Sequence, residues 1–335
     1  MSGVGRRVII DTDPGIGVHG SDVDDGLAIL LALASEELRV EAITVVAGNV
    51  EAEQGTRNAL NLLEMAGVEG VPVARGSEKP LKRSLVTGSS LIKRRLEMLG
   101  YREEAWAKTV PARERKVHLR RSSQHAVDLI TSKVSEHPGE TTVITIGPLT
   151  NMATALIKEP NLAKDIRELI VMGGAIAVPG NATPVAEFNV WCDPEAAKAV
   201  FNSGVPMTMV GLDVTKRTLL TTEHLAEIRS SNTPVARFIA DMTEAWIGII
   251  RRLRGIEGCW MHDPLAVAVA IDPTLVTTER MFVDVETRGE ITSGQTVGYA
   301  GKALLFHGKE ANANVCVDVD VDRFLGMLVQ RLSTW

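Results

Sequence analysis

Residues 8–33, VIIDTDPGIGVHGSDVDDGLAILLAL, constrain this chain more than any other stretch. The apolar run 8–10 reads as a buried strand, and the Ala- and Leu-rich run 27–33 as a helix. Four carboxylates, Asp11, Asp13, Asp24 and Asp25, stand where the strand hands over to the helix. In open α/β sheets that carboxyl edge is where ligands bind. Asp24 and Asp25 are each favoured at a helix start by the positive end of the dipole. Capping accounts for Asp24 but leaves Asp11 and Asp13 unexplained, and converging acids repel one another unless a cation joins them. The expectation is a metal site.

Strand–helix alternation continues beyond it. VEAITVVAGN (40–49) reads as a second buried strand ending in Gly48-Asn49, 51–65 as a helix and 71–74 as a short strand. Residues 123–135 read as a helix, 141–151 as strand and turn, 151–157 as a helix, and 169–175 and 205–215 as strands. Residues 222–255 read as helical, with a basic end IIRRLRG, and 321–332 as the closing helix. This order predicts one domain over 1–335, an open, mostly parallel, Rossmann-like α/β sheet with its site at the C-terminal strand edge. Residues 81–121 are basic and aperiodic, and are expected to leave the sheet as a lid or an oligomer surface.

Two later stretches carry chemistry. In GNATPVAEFNVWCDPEAAKAVF (180–201), Asn181, Glu187 and Asn189 sit among apolar neighbours. In an extended segment Glu187 and Asn189, two apart, face the same way. Asp193 then suits an N-cap and Pro194 the first turn of a helix. In GCWMHDPLAVAVAI (258–271), His262 and Asp263 precede an apolar helix, repeating the arrangement at Asp24-Asp25.

Composition narrows the partners. The 335 residues are 45% hydrophobic and 23% charged, with net charge −6 and no long basic run, which argues against nucleic acid or an anionic membrane surface. Cys192, Cys259 and Cys316 have neither metal spacing nor a disulfide framework. No apolar leader precedes Val8 and no stretch is long enough to span a bilayer, so a cytoplasmic protein is expected.

In order along the chain stand DTDPGI with VDDGLAI, VVAGN, GPLTN, VMGGA, GNATPVAEFN, WCDPEAA and MHDPLAVA. Together these motifs closely resemble the inosine–uridine-preferring nucleoside hydrolases, over roughly 8–324. The resemblance implies hydrolysis of purine or pyrimidine ribonucleosides to base and ribose, a bound Ca²⁺, and a homodimer or homotetramer. By motif, Asp13, Asp25, Asp263 and the main-chain carbonyl of Ile146 would ligate calcium. Asp24, Asn49, Asn181, Glu187 and Asn189 would hold the ribose, and Met172 would line the pocket. Asp13 would act as base towards water, and His262 would protonate the leaving base. The donor types suit the assignment, because hard oxygens favour Ca²⁺ and cleavage builds oxocarbenium charge on the sugar.

The chain departs from the family pattern in three places. Seven residues, 17–23, intervene between DPGI and DD, and are expected to bulge outward, with His19 the one candidate to reach the nucleobase. The segment after Leu85 lacks a His-Gly pair, and the helix around Ile249 and Ile250 lacks a tyrosine. Two other classes compete. A haloacid-dehalogenase-type Mg²⁺ phosphatase also carries Asp-x-Asp after a strand, but leaves GNATPVAEFN and HDP without a role. A silent metal- or nucleoside-binding homologue would have lost activity through the insertion. An EF-hand is excluded by the loop pattern.

Overall fold

The computed structural model describes residues 5–101 and 118–335. Eleven strands are defined among them: β1 Arg6–Thr12, β2 Leu38–Val45, β3 Val73–Arg75, β4 Thr141–Thr145, β5 Ile166–Met172, β6 Met207–Val210, β7 Leu219–Leu220, β8 Cys259–Trp260, β9 Val276–Val285, β10 Thr296–Ala300 and β11 Ala313–Val319. Nine form one sheet in the order β10-β9-β11-β6-β5-β4-β1-β2-β3. From β3 to β11 every pairing is parallel, and β9 and β10 extend the β11 edge antiparallel. The order β3-β2-β1-β4-β5-β6 reverses direction between β1 and β4. A crevice opens outside the strand ends at such a reversal.

Both faces are covered, which is why the central strands are apolar throughout rather than alternating. One face packs against the helices Asp24–Leu33, Pro234–Arg254, His262–Ile271 and Val321–Leu332. The other packs against Ala126–Glu136, Thr150–Lys158 and Pro194–Phe201. Asp24–Leu33 is buried at every residue but Leu33, and His262–Ile271 from Asp263 to Ala270. A helix apolar on all sides is held by burial on all sides. These two pack on each other and bring their acidic first turns to the same sheet edge.

The expected elements are present with shifted ends, except that the expected strand 205–215 is the strand Met207–Val210 followed by a helix, Leu212–Thr215. The stretch 222–255 is two helices, Thr222–Ser230 and Pro234–Arg254. Asn232 takes a positive φ of 59° at the break, Thr233 accepts from the Ala236 amide at 3.1 Å, and Pro234 opens the second helix. Asp193 caps Pro194–Phe201 as its sequence suggests, accepting from Ala196 N at 3.1 Å. The expected excursion 81–121 contains the helix Gly88–Met98, and its part 102–117 lies outside the described residues.

Candidate active site

The site is built from the ends of β1 and β4, the two strands flanking the reversal. The Ile146 and Gly147 amides donate to the Asp11 carbonyl at 2.8 and 3.3 Å, locking the two strand ends together. Asp11, Thr12 and Asp13 are all fully buried. Asp11 Oδ1 accepts from Thr44 Oγ1 at 2.6 Å and Asn151 Nδ2 at 2.8 Å, so this acid ties β1 to β2 and to the helix after β4.

Asp13 and Asp25 lie side by side. Thr12 Oγ1 and the Asp13 amide donate to Asp25 Oδ1 at 2.6 and 3.1 Å, and Asn49 Nδ2 donates to Asp25 Oδ2 at 2.9 Å. The Asn49 amide donates to Asp13 Oδ2 at 2.5 Å, while buried Asp13 Oδ1 has no hydrogen-bond partner. The chain closes tightly on this carboxylate. A Cβ on Gly48 would stand 2.1 Å from Asp13 Oδ2, and one on Gly147 2.7 Å from Oδ1. Asp24, Asp25 and Asp263 offer oxygens that all lie within 4.8 Å of one another. The Asp263 amide donates to Asp24 Oδ2 at 3.2 Å.

Every one of these acids is held above the ordinary carboxylate range. Burial is the leading cause, followed for Asp13, Asp24 and Asp263 by repulsion from neighbouring acids, and Asp11 is pushed up to about 7. An orphaned buried oxygen, several mutually repelling carboxylates and an all-oxygen donor set fit a hard divalent cation.

Asp24, Asn49, Ile146, Met172, Asn181, Glu187, Asn189, His262 and Asp263 all line one cavity over this cluster, and Asp13 and Asp25 are joined to it through Asn49. Asn189 Nδ2 donates to the Ile146 carbonyl at 2.9 Å and the Met172 carbonyl at 3.2 Å. Glu187 and Asn189 do not face one way on an extended segment. Glu187 instead caps the short helix Phe188–Cys192, accepting from the amides of Asn189 at 2.8 Å and Val190 at 3.1 Å, and from the Gly174 amide at 3.0 Å. Three peptide donors hold a carboxylate in place there although burial raises its pKa. Asn181 Oδ1 accepts from the Phe188 amide at 2.8 Å.

His262 opens its helix with Nδ1 2.7 Å from Thr215 Oγ1. Burial, then the positive charges of Arg254 and Lys216, push its pKa down to about 3. The ring is therefore uncharged at neutral pH in this state, unlike the ordinary histidine acid the sequence suggests.

The insertion differs from expectation. Two successive turns, Val18 N to Gly15 O and Ser21 N to Val18 O, fold 17–23 back on the strand end, with Gly17 and Gly20 at positive φ. Gly17 is exposed, but Gly20, Ser21 and Val23 are buried, and Asp22 lines the cavity. Ser21 packs so closely on Gly15 that a Cβ there would meet its Oγ at 1.9 Å. His19 does not line the cavity. Arg95, Trp246, Arg254 and Trp260 do, and none was singled out in the sequence. Their signals were weak: a basic helix end, and a Trp two residues before His262 on a strand.

A parallel sheet that gathers buried carboxylates at its strand-order reversal, under a cavity of amides and aromatic rings, defines a metal-dependent α/β enzyme acting on a small polar substrate. The sequence model of the inosine-uridine preferring nucleoside hydrolases matches residues 8–326. The pyrimidine-specific ribonucleoside hydrolase RihA of Shewanella woodyi is 36% identical, covering 98% of this chain and 99% of its own. The inosine-uridine preferring nucleoside hydrolase of Crithidia fasciculata is 37% identical over 98% of each chain. The purine-preferring ribonucleoside hydrolase of Gardnerella vaginalis superposes with a TM-score of 0.84 at 36% identity, over 98% of both chains. The chain belongs to the inosine–uridine-preferring nucleoside hydrolase family, and it is a nucleoside hydrolase.

Proposed function

We propose that this enzyme uses Ca²⁺ and cleaves the N-glycosidic bond of ribonucleosides to free base and ribose. The observation that carries the reading is the buried Asp13 carboxylate, one oxygen fixed by the Asn49 amide and the other unpartnered, beside the Asp24, Asp25 and Asp263 oxygens. Asp13, Asp25, Asp263 and the Ile146 carbonyl would hold the ion, with Asp24 the further oxygen the geometry brings to the group. When bound, Ca²⁺ supplies positive charge that lowers the pKa of water and orients sugar hydroxyls.

The chain's own residues do the rest. Asp13 is the acceptor for a proton from the attacking water. Asp24, Asn49, Asn181, Glu187 and Asn189 accept from and donate to the ribose hydroxyls, fixing the anomeric carbon. The negative charge of Asp24 and Glu187 favours the positive sugar that forms as the bond breaks. Met172 closes the wall beneath the ring. His262 sits at the leaving-group end. It protonates the departing base and regains the proton from solvent, with Nδ1 held 2.7 Å from Thr215 Oγ1. Three buried thiols accord with a cytoplasmic enzyme, and a homodimer or homotetramer is the assembly expected.

Release of base and reducing sugar from inosine, uridine, adenosine and xanthosine tests the activity. Formation of inorganic phosphate from phosphoesters instead would replace it with the phosphatase reading. Calcium content of protein purified without added salts tests the ion. A stoichiometric transition metal contradicts it.

A further inference from the structure

Resting on the nucleoside hydrolase reading, the insertion supplies a feature that reading does not use. It turns Asp22 into the cavity wall beside Asp24, with its Oδ1 accepting from the Val23 amide at 2.7 Å. Asp24 belongs to the ribose-holding set, so Asp22 borders the place where ribose gives way to base. Arg254 lies at the rim, the last residue of its helix, with its guanidinium 5.2 Å from the centre of the Trp260 ring. The two opposite charges feel each other, yet no ion pair joins them among the described residues. The remaining wall carries Leu91, Trp246, Ile250 and Trp260, and a second guanidinium, that of Arg95, which donates to the Ala182 carbonyl at 3.2 Å. Such a slot holds a flat ring by its faces and leaves orientation to the few polar groups.

We propose that Asp22 and Arg254 read opposite edges of the nucleobase and select guanine. Guanine carries an amino donor on its sugar edge, beside the ribose. Uracil and cytosine present a carbonyl oxygen there, and hypoxanthine and adenine a C–H. A carboxylate at that edge accepts from the amino group and repels the pyrimidine oxygen. Arg254 donates to the acceptors on the far side, the O6 and N7 pair that guanidinium groups recognise. The seven added residues thus act as a specificity loop.

The test is kcat/KM for guanosine, inosine, uridine and p-nitrophenyl riboside with wild type, Asp22→Asn and Asp22→Ser. Wild type is expected to favour guanosine over inosine and both over uridine. In Asp22→Asn the guanosine-to-inosine ratio falls about tenfold or more, as expected for a lost hydrogen bond to a charged group. Uridine gains relative to inosine, because the new amide donates to its carbonyl. Arg254→Gln lowers guanosine and inosine together and uridine less. If Asp22→Asn misfolds by its melting curve, Asp22→Ser gives the same ratio test. Wild type preferring uridine to guanosine, an unchanged ratio, or equal loss on all four substrates each overturns the assignment. No turnover of any of the four overturns the activity itself, a separate failure that the riboside reveals directly.

Discussion

The hydroxyl of Thr12 donates to Asp25 Oδ1 at 2.6 Å, joining the last residue of β1 to the first turn of the following helix across the whole insertion. That bond, with the Asp13 amide on the same oxygen, fixes the Asp25 carboxylate before any ion arrives. Groups that orient a metal ligand typically contribute 10- to 100-fold in affinity. Thr12→Val is therefore expected to weaken calcium binding by about that factor, with activity recovering at high calcium. Calorimetric titration with Ca²⁺ measures it, and wild-type affinity in the variant would show that the hydroxyl only fills space.

Asp13→Asn should fold and be inactive. The amide oxygen can still accept from the Asn49 amide, so the strand end keeps its anchor. It cannot take a proton from water, and it brings less charge to the ion. The expected loss in kcat is at least the roughly 10²–10⁴-fold of a general base. A folded variant with near-normal turnover would remove Asp13 from the mechanism.

Removing the metal should invert the pH dependence of stability. In the metal-free protein the buried acids have pKa values raised by burial, with Asp11 at about 7. The folded state then binds more protons than the unfolded chain, whose aspartates titrate near 3.9. Stability contributed by these groups is full below the unfolded pKa and is lost as pH rises through the folded values. With EGTA present, the melting temperature should fall between about pH 5 and pH 8. Saturating Ca²⁺ should flatten or reverse the trend, because it binds the ionised form. Parallel pH profiles with and without Ca²⁺ would discard the idea.

Much of this was legible in the sequence because it is written in local pattern. Apolar runs of strand length alternating with helical stretches give a parallel sheet, and the acids at 11–13 and 24–25 mark its ligand edge. What stayed hidden depends on long-range packing. Glu187 and Asn189 looked like an extended pair, but the Gly174 amide, thirteen residues away, helps fix Glu187 as a helix cap. His262 looked like an ordinary acid, and its depressed pKa comes from burial and from Arg254 and Lys216 on other elements. The fate of Asp22 turned on how Ser21 packs against Gly15, which no periodicity records.

Two glycines give opposite predictions for the same Gly→Ala change. At Gly48 the new Cβ would stand 2.1 Å from Asp13 Oδ2 and 2.7 Å from the Pro148 ring, so the carboxylate must move. A displacement near 1 Å at a catalytic group costs on the order of 10²-fold, and Gly48→Ala should lose that much kcat/KM and bind Ca²⁺ more weakly. Gly326 is exposed within the helix Val321–Leu332, with nothing within 4 Å of its would-be Cβ. Alanine there removes backbone freedom from the unfolded chain and should stabilise by up to about 1 kcal/mol, raising the melting temperature by roughly 1–3 °C with kcat/KM unchanged. Measuring both variants side by side separates the site's tight closure from the general effect of replacing glycine. Equal behaviour in the two would mean that Asp13 has room the geometry denies it.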